Sequence, residues 1–246
     1  MVDLVKDKNV LAFEKLLHSF LAESLTGLLE EMDKFHRGRV EAKAFSEPAL
    51  LIILKQLLDP KILKTRITAF LTGSVEKGYE STEKDLDMNI TRRPEFLQIV
   101  ERTSFERVKE MTDDLAAELK KTMVEGWNAG EGIAELKERV KEVYGDGNLT
   151  DGRATAIART ESSNAFNGAK LQAARDSGVA ARKRWKEFVS DSGVPLDNRV
   201  GKDSIKLHGQ TRELDELFFD SVNGKFIDRP PNRPNDRATL QIIPVV

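Results

Sequence analysis

The chain has 246 residues, 39% hydrophobic and 33% charged, enough for a packed core in one large or two small domains. A formal net charge of -2 excludes a global attraction to nucleic acid. The absence of cysteine excludes disulfides, thiolate metal sites and cysteine nucleophiles. Asp3, Lys6, Asp7 and Lys8 interrupt the start of the chain before the apolar stretch of a signal peptide could form. The longest apolar run, Ala49 to Leu54, is too short to span a bilayer. A soluble protein made in a cytosol, with no membrane partner, is the expectation.

Residues 10–36 read as an amphipathic helix, because Leu11, Leu17, Leu21, Leu25, Leu28 and Met32 recur at steps of three and four. A second helix is expected over 48–58, with Pro48 in its first turn. Asp59-Pro60 reads as a cap and first-turn proline of a third helix, carrying Ile62, Leu63, Ile67, Phe70 and Leu71 and fading near Gly73 or Gly78. Residues 79–93 are polar and without strong period, and read as a loop. A long helix follows from Pro94 to about Trp127, with a break expected near Thr103-Ser104. Ile133, Leu136, Val140 and Val143 mark a short helix closed by Gly145.

Thr150 is expected to cap a helix running from Asp151 to near Gly178, with a stripe of Ala154, Ile157, Ala158, Ala165 and Ala169. The texture then changes. "ARKRWKEFVS" alternates as a strand, with Trp185 and Val189 on one face. Turn residues follow, and short strands are expected at Lys225–Asp228 and Ala238–Ile243. The predicted class is α+β: a mainly helical part over 1–149, carrying partner contacts, then a small α+β module with a short sheet over 150–246.

Residue chemistry alone makes little case for an enzyme. Walker A, G-x-G-x-x-G and G-x-S-x-G patterns are all absent. Asp197, His208, Asp215, Asp220 and Asp228 match no ligand spacing, so no metal or other cofactor is expected. Arg159 and Glu161 are two apart on one helix and point to different sides, which by spacing suits two solvated charges better than an anchor pair. Arg182, Arg184 and Lys186 share one strand face while Lys183 joins Trp185 on the other. That wet basic face is a candidate nucleic-acid contact, and more simply the solvated side of a strand.

The order of short motifs in the last third is more specific than any of them. "A-R-T-E" at Ala158 to Glu161 precedes the tryptophan strand, and Asp197 and Arg199 form a D-x-R. His208, Gly209 and Gln210 follow, then Leu214, Asp215 and Phe218, Pro230-Pro231, Asn235 with Arg237, and an apolar Leu240 to Ile243. This order resembles the phage Mu F-like minor head protein family, also called the phage head morphogenesis family, over about residues 110–246. Members commonly place cysteines beside the arginine of N-x-R; here those positions are Asp236 and Ala238, so a cysteine-dependent metal or cross-link is lost.

The resemblance implies a non-catalytic, low-copy protein of the virion, inside the head near the portal vertex, acting in head assembly and in DNA packaging or delivery. The implied partners are the portal protein, then coat or scaffold protein, then phage DNA. The implied structural set is Arg159, Glu161, Asp197, Arg199, His208, Gln210, Asp215, Asn235 and Arg237. His208 is expected to fix its turn against the helix of Arg159 and Glu161, with Asp197 and Arg237 nearby. The alternatives are a hydrolase or nuclease-like enzyme using His208 with Asp197 or Arg159, and a DNA-binding protein using Arg182 to Lys186.

Overall fold

The computed structural model describes residues 8–37, 47–146, 150–190, 194–196 and 200–245. Six helices come first: α1 (Lys8–Arg37), α2 (Glu47–Leu57), α3 (Lys61–Leu86), α4 (Pro94–Asn128), α5 (Ile133–Gly145) and α6 (Asp151–Asp176). Then come β1 (Ala181–Lys186), α7 (Lys202–Leu207), β2 (Thr211–Glu213), β3 (Phe218–Asp220), β4 (Lys225–Ile227) and β5 (Thr239–Pro244). The class is α+β, with helices dominating the N-terminal part and a short antiparallel sheet near the C-terminus. No helix among the described residues is long and apolar enough to cross a membrane.

Contacts divide the chain into two compact units, and both are assembled from separated stretches. One comprises Met1–Phe13, Arg66–Ser104 and Ala156–Val246; the other comprises Glu14–Thr65 and Phe105–Thr155.

Among its described residues, the second of these has helices and no strand. Leu17, Leu21, Leu28 and Met32 of α1 are fully or almost fully buried, as their spacing predicts. Val108, Met111, Leu115, Leu119 and Met123 form a matching stripe on α4. Polar ties supplement this core. Ser24 and Tyr144 hydroxyls lie 2.9 Å apart, and His18 Nε2 lies 3.1 Å from Thr155 Oγ1. Asp59 accepts the Lys61 amide at 2.9 Å, the expected cap between α2 and α3. The Thr150 hydroxyl instead donates back to Tyr144 O and Asp146 O, at 2.8 and 3.0 Å, and so closes α5.

Two expected interruptions do not occur. Helix α3 continues through Gly73 and Gly78 to Leu86, so only 87–93 of the expected 79–93 loop is non-helical. The face that packs there is Gly78, Tyr79 and Thr82, which keep a helical period without an apolar one. Helix α4 runs unbroken through Thr103-Ser104. Thr103 hydroxyl donates to Ile99 O at 3.0 Å, so this polar side chain is satisfied inside the helix.

The sheet sits in the other unit. β1 is central, antiparallel to β2 on one side and β5 on the other, with Lys183 opposite Arg212 and Ile242. β3 and β4 form a separate hairpin. The outer edge of β5 is not left open. Asn167 Oδ1 accepts the Leu240 amide at 2.9 Å, and Asp85 Oδ2 accepts the Ile242 amide at 3.1 Å. Helices α6 and α3 thereby cover a row of donors that would otherwise pair with another chain. The core joins Leu171 of α6 to Trp185, Leu207, Phe218, Ala238 and Leu240. Trp185 and Phe218 meet edge to face at 5.3 Å, and each such buried side chain contributes roughly 1.5–3 kcal/mol.

Candidate functional site

The motif residues of the last third fall on different elements of one unit. Asp197 and Arg199 lie outside the described residues. The others can be placed individually.

Helix α6 carries the A-R-T-E stretch. Glu161 is 3% exposed, so it is not the solvated charge that its spacing suggested. Its Oε2 accepts the Ser104 hydroxyl of α4 at 3.0 Å. Arg159 is half-buried. Thr160, between them, accepts the Asn235 amide at 3.2 Å and so holds the N-x-R loop against α6. Asn235 has a left-handed backbone, φ 61°, a conformation asparagine tolerates better than most residues. Arg237 stacks over Phe188, its guanidinium carbon 4.9 Å from the ring centroid.

His208-Gly209 makes a turn in which Gly209 has φ +81°, a conformation suited to glycine. The Gly209 amide donates to Trp185 O at 2.9 Å, and the Trp185 amide to Gln210 O at 3.0 Å, so the turn extends the ladder of β1 and β2. His208 Nδ1 accepts the Glu187 amide at 3.0 Å. The imidazole bond therefore goes to the end of β1 and not to Glu161, contrary to the expected clamp on α6. Burial, then the charges of Lys186 and Arg184, hold the imidazole below the usual histidine range. Gln210 ties the same turn to β3. Its amide donates to Lys206 O and Phe219 O, both at 3.0 Å, and its carbonyl accepts the Phe219 amide at 3.3 Å.

The aspartates disperse to separate partners. Asp215 accepts two bonds from Arg175, at 3.1 and 2.8 Å. Asp220 accepts the Val222 and Asn223 amides at 2.9 and 3.2 Å and shapes the β3–β4 turn. Asp228 receives Lys183 Nζ at 2.7 Å. Among the described residues no group of three or more histidine, aspartate or glutamate side chains is placed to hold a metal ion.

On the outer face of β1, Arg182 bonds Glu213 at 2.6 Å and Arg184 bonds Thr211 Oγ1 at 3.1 Å. On the inner face Lys183 is 0% exposed beside Trp185. Its ion pair with Asp228 was not foreseen, since nothing in the strand pattern names a partner 45 residues on. A cavity of about 740 Å³ lies nearby, lined by Lys84, Lys170, Lys186, Glu187 and His208 among others.

Glu187 and Ser204 escaped sequence reasoning. The signal for Glu187 was present: it continues the odd-numbered, inward alternation of Ala181, Lys183 and Trp185, and it is 1% exposed. Ser204, buried on α7, donates to Asn232 Oδ1 at 3.2 Å.

Comparison with protein families gives a match to the Phage Mu protein F like protein family over residues 117–241. That is half of the chain, and the chain belongs to this family, a phage head morphogenesis family. No curated protein and no solved structure matches the chain.

Proposed function

We propose that this protein is a non-catalytic minor head protein of a tailed phage, incorporated beside the portal and acting in DNA packaging or delivery. Family membership supports the virion setting. The observation that carries the non-catalytic reading is how the motif residues are used. His208, Gln210 and Thr160 bond backbone groups of neighbouring strands and loops. Such bonds satisfy the backbone of a module with short strands and long connections. They do not assemble a nucleophile, a base and an orienting group around one point.

The portal is the first proposed partner, with coat or scaffold protein next. Phage DNA is the third, through the strand of Arg182, Arg184 and Lys186. Two of those cations already have partners within the sheet, Glu213 and Thr211, which weakens that contact. Co-expression with the portal protein of the same phage tests the reading. A complex stable to size-exclusion chromatography is expected; separate elution at micromolar concentration would refute portal association.

A further inference from the structure

Asparagine followed by glycine occurs twice, at Asn167-Gly168 and at Asn223-Gly224. The pair has a chemistry of its own. The main-chain nitrogen of the glycine attacks Cγ of the asparagine amide. Its proton goes to the departing nitrogen, which leaves as ammonia, and a succinimide ring closes. Water then opens the ring. Breaking the new Cγ–N bond gives aspartate; breaking the original peptide C–N bond gives isoaspartate, with the main chain routed through the side chain. Glycine favours the attack because no Cβ shields its nitrogen and its backbone turns freely. Water is the one co-reactant.

The two sites differ in what the reaction needs. Asn167-Gly168 lies inside α6, and both residues are buried. The Gly168 amide belongs to the helical ladder. The Asn167 side chain is tied through both of its polar atoms. Nδ2 donates to Ser163 O at 3.0 Å and to Ala238 O at 3.3 Å, and Oδ1 accepts the Leu240 amide at 2.9 Å. A Cβ on Gly168 would stand 2.8 Å from Phe96 Cζ, so this glycine serves packing. Asn223-Gly224 lies in the turn between β3 and β4, and both residues are exposed. The ladder closes with Asp220 opposite Lys225, so neither residue belongs to it. Gly224 has φ +65°, and beyond its chain neighbours nothing lies within 4 Å of the place a Cβ would take. Among the described residues the Asn223 side chain makes one hydrogen bond, from Nδ2 to Asp220 Oδ2 at 2.7 Å.

We infer that Asn223-Gly224 is a self-modification site, where the folded protein converts Asn223 to aspartate and isoaspartate through a succinimide, while Asn167-Gly168 stays intact. Asp220 makes the conversion a structural event. It is 1% exposed and accepts three N–H donors: the Val222 and Asn223 amides at 2.9 and 3.2 Å, and Asn223 Nδ2. Bonds of this kind favour its charged form. The product carries a carboxylate where the Nδ2 donor stood, so repulsion between like charges replaces a bond. Isoaspartate also adds a carbon to the main chain in a turn that sets Phe219 opposite Phe226. Those rings meet at 5.1 Å and are 41% and 68% exposed, so conversion disturbs the apolar surface of the hairpin.

The test is incubation of the folded whole chain at pH 8.5 and at pH 6, followed by peptide mapping in a mass spectrometer that resolves aspartate from isoaspartate. The peptide holding Asn223 should convert steadily, and faster at pH 8.5, because the attacking nitrogen must lose its proton. Asn167 reacts only when α6 opens, so it should convert more slowly, by on the order of tenfold or more. In urea the two should convert at similar rates. A folded chain in which Asn223 stays unconverted, or in which Asn167 keeps pace with it, would overturn the inference. The converted form, separated by its extra negative charge, should exchange the amide hydrogens of residues 218–227 several-fold faster than the parent. Asn223→Asp, which adds the charge without the extra carbon, should show part of that increase. Unchanged exchange in the converted form contradicts the link to Asp220.

Discussion

Gly78 of α3 faces Ala169 of α6 with no room for a methyl group. A Cβ on Gly78 would stand 2.6 Å from the Ala169 Cβ and 2.4 Å from Phe166 O. Both glycine and the alanine stripe therefore serve the same close approach. Thr82 uses it to donate to Lys170 O at 3.1 Å, and Lys170 to reach Asp85 at 2.8 Å.

Gly78→Ala tests this contact. In an exposed helix the change would stabilise by about 1 kcal/mol. Here the backbone carbonyl of Phe166 cannot yield cheaply, and overpacking of this kind costs roughly 1–3 kcal/mol. Urea unfolding should give a net loss of stability. A gain would show that α3 and α6 separate more readily than their geometry implies.

The buried ion pair predicts an asymmetry. Lys183 has no exposed surface, whereas the Asp228 side chain is 34% exposed and also bonds Arg229. Asp228→Ala removes the paired charge and leaves the buried ammonium its bond to the backbone carbonyl of residue 228, 2.8 Å away, and should cost about 3 kcal/mol. Lys183→Met removes that charge while keeping an apolar stem beside Phe218, and should cost clearly less. Equal losses in denaturant titrations, or a larger loss for Lys183→Met, would contradict this account.

His208→Ala removes the acceptor of the Glu187 amide and should cost about 1–3 kcal/mol. His208 and Glu161 bond to different elements, the end of β1 and Ser104 of α4. The double variant with Glu161→Ala should therefore be close to additive, whereas a shared network would make it markedly non-additive. The pH dependence has its own sign. The folded imidazole is held below its usual range, so its contribution is present above that range and lost as pH falls through it. His208→Gln, which keeps an acceptor, should shallow the acid-side loss of stability relative to the parent. An undiminished slope in calorimetric melts would show that the titrating group lies elsewhere.

Where apolar residues carried the period, the fold was legible. Leu17, Leu21 and Leu28 announced α1, and the alternation around Trp185 announced β1. The last turns of α3 were not legible, because their packed face is glycine, tyrosine and threonine and satisfies itself by hydrogen bonds. Glu161 was misread for a related reason. Spacing fixes the side of a helix on which a residue lies, and says nothing of what covers that side; Ser104 comes from another helix. The order of motifs was enough to reach the family without fixing any contact. The His208 bond to Glu187 and the Lys183 bond to Asp228 depend on tertiary placement of loops, for which periodicity gives no register.

Quantitative mass spectrometry of purified phage heads tests the central claim most directly. A structural minor head protein should be present in procapsids and mature heads, in fewer copies than the coat protein. The protein's absence from purified heads, or its presence only in the soluble fraction of infected cells, would contradict the account.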